Sequence, residues 1–286
     1  MPSRTAFRLR LGTLVIGVLA ASSLAALAPS AAGAAEARVV GGTTVGADGI
    51  YRYRVDLAQI PGARVSTERG IVQATGACRF ADSARGRPSG HGRVRYVTEI
   101  SFDPATCSRQ LATAEYPRDA VPPAVRAKLA SPGQTTAKAT KPSSRTGPTG
   151  PTGGVSTLAS WFGSLKVNVE DPVQIDVTTT KSDLGWSYNG TTLTGSHTAH
   201  WGWYSPSGWS RNAYHWNYGN NGYYAYTDTY GKYRNGTFCF TIDTWTEHLQ
   251  TYFEGWYDGY WYWSYRVDKW GGCTALLHYE YIAQTP

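Results

Sequence analysis

An all-β fold is predicted by three features of the chain. Asn-Gly or Asp-Gly pairs recur at 189–190, 221–222, 235–236 and 258–259, each between runs rich in aromatic and β-branched residues. Such pairs suit two-residue hairpin turns, whose central residues need positive φ. The stretches VRYVTEISF, LKVNV and VQIDV alternate apolar and polar residues, the period of a strand with one buried face. Cysteines fall as one pair in each half, Cys78 with Cys107 and Cys239 with Cys273, without the C-x-x-C spacing of a zinc site. Together these predict an antiparallel β-sandwich or jelly-roll-like C-terminal domain. A small β-rich N-terminal module and a Pro/Gly/Ser-rich linker precede it.

Residues 1–37 read as a signal peptide: Arg4, Arg8 and Arg10 precede the apolar run LGTLVIGVLAASSLAALA, and AAGAAEA offers cleavage after Ala34 or Ala37. No second apolar run reaches membrane-spanning length, so no transmembrane segment is expected. The implied destination is secreted and extracellular, an oxidising compartment that favours the two disulfides.

Residues 38–129 form the expected basic β-rich module. IYRYRVDLAQ and VRYVTEISF read as alternating segments, DPAT as a turn, and AVPPAVRAKLAS as a short helix. ADSARGRPSGHGR, between the first two cysteines, reads as a mobile loop. Residues 38–160 carry a balance of +9, against −4 for residues 161–286. An exported chain excludes nucleic acid as an expected partner, and an anionic cell-surface polymer is what the basic half could meet. RVVGG at 38–42 is like the mature N-terminus of a trypsin-like protease, but no GDSGG follows and the match is fortuitous. Residues 130–160, with SPGQTTAKATKPSSRTGPTGPTGG, read as a flexible linker.

Residues 161–286 form the aromatic-rich domain. All 11 Trp and 16 of the 20 Tyr fall there, more rings than so small a domain can bury. In YDGYWYWSY (257–265) and the residues after it, Trp261, Trp263, Tyr265 and Val267 share one face, the expected core. Tyr260, Tyr262, Ser264, Arg266 and Asp268 share the other. Mixed polar and aromatic faces recur at Tyr224, Tyr226, Asp228 and Tyr230, and at His248, Gln250, Tyr252, Glu254 and Trp256. A strand is expected straight through TFCFTIDTW. The NGT triplets at 189 and 235 match the glycosylation pattern but are read as turns.

Rings beside carboxylates and amides suit sugar, because a pyranose presents a C–H face to an aromatic plane and hydroxyls to polar side chains. The segment 196–222 is broken by Gly, Ser, Asn and Pro and reads as a ring-bearing loop or a pair of irregular strands. The expected ligand-binding residues are therefore Trp201, Trp203, Trp209 and Trp216, with Tyr260 and Tyr262 from the 260–268 strand. His197, His200 and His215 are not assigned to a metal, since an offset of three sends strand side chains to opposite faces. No cofactor is called for. Asp176, Asp243, Glu247 and Glu254 lie among rings as acids do in a glycosidase, but sequence shows no pair at the required separation.

VRYVTEISFDPATCSRQLA (94–112) and GWYSPSGWSR (202–211) resemble small exported proteins of actinomycete bacteria. The resemblance implies export and supplies no activity and no site residues. The expected function is non-catalytic recognition of a polysaccharide or cell-envelope glycan. The alternatives are a structural or protein-interaction component of the cell surface and, after that, a glycan hydrolase.

Overall fold

A computed structural model describes residues 38–88, 92–130, 135–146 and 159–286. The signal peptide expected over 1–37 lies outside the described residues, as do parts of the expected linker. In chain order the elements begin with β1 (Arg38–Val40), β2 (Thr43–Val45), β3 (Tyr51–Tyr53), β4 (Arg64–Arg69) and β5 (Ile71–Val72). β6 (Cys78–Gly86), β7 (Arg93–Asp103), β8 (Ser108–Pro117), helix α1 (Pro123–Ala130) and β9 (Thr135–Thr146) follow. The remainder is β10 (Ala159–Glu170), β11 (Asp176–Tyr188), β12 (Thr192–Trp203), β13 (Trp209–Asn220), β14 (Tyr224–Cys239), β15 (Ile242–Trp256), β16 (Trp261–Gly271) and β17 (His278–Gln284).

Two antiparallel sheets pack face to face, as the sequence predicts. The larger runs β1-β2-β3-β7-β17-β10-β11-β12-β9, with β8 pairing β7 and β4 pairing β8; the smaller runs β13-β14-β15-β16-β6-β5. Between them lie Leu165, Val167 and Val169 of β10, Tyr279 and Tyr281 of β17, and Phe253, Trp263, Tyr265 and Val267 of the smaller sheet. Each such aliphatic side chain contributes roughly 1.5–3 kcal/mol through burial. Two glycines admit rings to this layer. A Cβ on Gly163 would lie 2.0 Å from Phe253, and one on Gly255 2.1 Å from Trp186.

The alternate residues of β10, Lys166, Asn168 and Glu170, are also buried, because α1 covers the far side of the larger sheet. Val125 of α1 packs there with Ile60, Tyr96, Tyr116 and Ile282. The apolar stretch is thus interleaved with polar side chains that must find partners out of water.

The two expected modules share both sheets. β6 pairs β16 over Phe80↔Val267 to Gly86↔Trp261, and β7 pairs β17 over Val94↔Gln284 to Thr98↔Glu280. Residues 38–129 and 161–286 are therefore not separate: Ala35–Pro286 is one compact unit. Within the expected linker, 135–146 is strand β9, hydrogen-bonded to β12. The expected mobile loop is also corrected, since its first six residues, Ala81–Gly86, are the β6 segment that lies against β16.

The hairpin turns at Asn189, Asn221 and Asp258 form, with a different geometry from the one expected. Only the glycines take positive φ, at 92°, 92° and 85°. The preceding side chains hold the turns instead: Asn189 Oδ1 accepts from the amides of Thr191 and Thr192, and Asn221 Oδ1 from those of Tyr223 and Tyr224. Asn235-Gly236 makes no hairpin. It lies within β14, and the chain reverses at Phe240-Thr241, where Phe240 adopts φ 51°. TFCFTIDTW is accordingly a hairpin and not one strand.

Both expected disulfides are present. Cys78–Cys107 ties β6 of the smaller sheet to the turn between β7 and β8 of the larger, and a loop of this length contributes ~3–4 kcal/mol in the chain-entropy model. Cys239–Cys273 joins the end of β14 to the segment after β16. Among the described residues no helix is long and apolar enough to cross a membrane.

Candidate functional site

The outward face of the smaller sheet is built by the period-two alternation of three hydrogen-bonded strands. In β14–β15 pairing, Tyr224 lies opposite Trp256, Tyr226 opposite Glu254 and Asp228 opposite Tyr252. In β15–β16 pairing, Glu254 lies opposite Tyr262, Tyr252 opposite Ser264 and Gln250 opposite Arg266. β6 adds Arg85 beside Tyr262, Ser83 beside Ser264 and Ala81 beside Arg266. The three aromatic stretches read from sequence thus become one surface.

His248 departs from that reading. A bulge between His248 and Gln250 turns its ring inward, where Nε2 lies 3.1 Å from Thr178 Oγ1 and Nδ1 2.9 Å from Thr180 Oγ1. Burial pushes its pKa down to about 3, so the ring is neutral.

Two open grooves cross the face and meet at Glu254 and Tyr262. One, of about 650 Å³, is lined by Ser83, Gln250, Tyr252, Ser264 and Arg266; the other, of about 590 Å³, by Arg85, Trp256, Tyr257, Tyr260 and Trp261. Ring centroids of Tyr226 and Tyr252 are 5.7 Å apart and nearly parallel, those of Tyr224 and Trp256 4.9 Å, and those of Tyr252 and Tyr262 6.0 Å. Glu254 fixes two of the rings: it accepts from Tyr252 Oη at 2.6 Å and from Trp256 Nε1 at 3.0 Å. Burial, together with this carboxylate, raises the Tyr252 phenol well above its ordinary pKa, so it remains a donor. At one rim the Arg87 guanidinium lies 4.1 Å over the Tyr260 ring and pairs with Asp258 at 3.2 Å.

The six expected ligand-binding residues separate. Tyr260 is 42% exposed and Tyr262 half-buried in the groove floor, both on this face. Trp201 and Trp209 are core residues at 1% and 2% exposure, which corrects their assignment to a contact surface. Trp201 donates its indole N–H to Tyr230 O at 2.7 Å, and Trp209 packs against Phe238. Trp203 is half-buried against the core with the Arg211 guanidinium 4.9 Å from its ring. Trp216 leans on buried His197 at 5.1 Å. Of the two readings of segment 196–222, the pair of strands is the one that forms: it is most of β12 and all of β13, joined by a short 3-10 turn.

Sequence reasoning missed a cluster beneath α1. Lys128 bonds Glu170 and reaches Glu280 Oε2 at 2.6 Å, while Lys166 Nζ lies 3.2 Å from Asp176. Oxygens of Glu170, Asp176 and Glu280 lie within 4.8 Å of one another, a donor set that could hold a cation. Here two lysines of the same chain already supply the positive charge. Burial raises the pKa of both glutamates, the neighbouring acids raise them further, and Lys128 opposes the shift. A helical Lys and three acids scattered over 110 residues carry no sequence signal that would join them.

No protein-family model matches the chain, and neither a curated protein nor a solved structure does.

Proposed function

We propose that this is a secreted, non-catalytic binding protein that takes a polysaccharide or cell-envelope glycan along the outward face of the smaller sheet. The observation that carries the reading is the row of Tyr224, Tyr226, Tyr252, Trp256, Tyr260 and Tyr262 on one open face, interspersed with hydrogen-bonding groups. Sugar rings stack their C–H faces on such planes, and Gln250, Ser264 and Ser83 offer donors and acceptors to hydroxyls at the edges. Glu254 holds its two neighbours before any ligand arrives, which lowers the ordering cost of binding. Both oxygens of that carboxylate serve positioning bonds, and Asp228 accepts the Thr251 amide at 3.2 Å. The acids of the face are thus engaged in holding the platform.

Retention of the mature protein on insoluble polysaccharides and purified cell walls tests the reading. Replacing Tyr252 and Tyr262 together by Ala should weaken retention by on the order of 2 kcal/mol, roughly thirty-fold, with the unfolding midpoint little changed. Retention equal to that of the unaltered protein, with the fold intact, contradicts the proposal.

A further inference from the structure

Resting on the glycan reading of this groove, we infer that its ligand is an acidic polysaccharide, bearing carboxylate or phosphate groups, and that Arg85 and Arg266 select it. The other ionised groups on the floor or rim are engaged elsewhere, Asp82 with Arg95 at 3.6 Å and with the Tyr281 hydroxyl. Glu254 is held by Tyr252 and Trp256, Asp258 by Arg87, and Asp268 by Arg79 at 3.2 Å. Asp228 is bonded to the Thr251 amide and lies beyond ion-pair distance of Arg266, although it feels that charge. Arg85 and Arg266 are exposed, line the two grooves, and make no ion pair among the described residues.

Their placement follows from the pairing of β6 with β16. Arg85 stands opposite Tyr262, and Arg266 stands four residues farther along β16, opposite Ala81. The backbones of the two are therefore about 13 Å apart along the strands, with Tyr252, Tyr262 and Ser264 between them. At that spacing each guanidinium can meet its own acidic group on an extended chain that carries such groups at intervals. A guanidinium fork suits either a carboxylate or a phosphate, and stacking on the intervening tyrosines requires sugar between the charges. The arrangement also joins two features that sequence kept apart, because β6 brings arginines of the basic half against the ring-rich strands of the acidic half.

The experiment measures affinity electrophoresis of the mature protein against polygalacturonate, its neutral methyl ester, and a phosphate-bearing teichoic acid. Binding to at least one acidic polymer should be tenfold or more tighter than to the ester. Arg85→Gln with Arg266→Gln should reduce it to the level of the ester while leaving ester binding unchanged. Arg64→Gln with Arg69→Gln removes the same charge from the exposed strand β4 and should change nothing, which separates the groove from the general attraction of a basic protein. The carboxylate and phosphate arms tell which group is read. If the ester binds as well as the acids, or if the β4 variant loses as much as the groove variant, the inference is overturned while the glycan reading stands. If no polymer binds, or if Tyr252→Ala with Tyr262→Ala leaves binding intact, the glycan reading fails with it.

Discussion

Lys128→Ala is expected to destabilise the protein by about 3–5 kcal/mol, the range for a buried ion pair that loses one partner. About a third of the lysine side chain is exposed, but its amine ends on Glu170 and Glu280, whose side chains are 2% and 0% exposed. The other neighbours do not replace that charge: His278 Nε2 lies 2.8 Å from Glu170, but burial lowers its pKa to about 4 and the ring is neutral at pH 8. Tyr96 Oη and Asn168 Nδ2 already donate to Glu280 at 2.5 and 3.0 Å, and Lys166 is directed to Asp176 and to the Lys128 carbonyl. The loss should depend on pH in a definite direction. Burial raises both glutamates above their unfolded value of about 4.3, so the folded state holds protons that the unfolded state has released. Their contribution is complete below that value and lost as pH rises through the raised folded one. Urea unfolding of the variant should show the larger deficit at pH 8 and a smaller one at pH 5. A deficit under 1 kcal/mol at pH 8 would mean that water reaches the cluster.

Trp209→Ala is the second large effect, about 3–5 kcal/mol, because a fully buried indole leaves both lost contacts and a cavity. The ring belongs to the inter-sheet core with Tyr233 and Phe253. Trp203, half-buried at the margin of the same cluster, should cost clearly less when truncated. Denaturant midpoints of the two single variants, measured beside glycan retention, check this. If Trp209→Ala retained full stability and lost binding, the ring would be a contact residue, as segment 196–222 suggests when read alone.

The strands of 196–222 form, but their tryptophans are packed inward more than the sequence suggests. Gly and Ser interrupt 196–222 in the manner of a loop, but in a sheet a glycine can also mark the place where a ring crosses. Gly219 illustrates this within the segment: a Cβ there would lie 2.2 Å from the Tyr226 ring. The face of β14, β15 and β16 was legible because strict alternation separates Tyr262, Ser264 and Arg266 from Trp263, Tyr265 and Val267 without knowledge of partners. Only the bulge near His248 broke the count, and a one-residue insertion leaves little trace in composition. Pairing of β6 with β16 and of β7 with β17 was not legible, since strand partners distant in sequence are set by the packed whole. The Pro/Gly/Ser-rich stretch between the halves suggested a boundary, yet it connects strands of one unit.

Indole N–H resonances locate the ligand on the protein. The protein carries 11 tryptophans, and their Nε1–H signals can be followed while a soluble oligosaccharide of the retained polymer is added. Trp256, whose N–H is bound to Glu254 in the groove, should shift strongly, and Trp261 at the groove wall should shift with it. Trp201 and Trp209, closed within the core, should stay where they are. Movement of Trp203 and Trp216 with Trp256 unmoved would place the ligand on β12 and β13 and contradict the account.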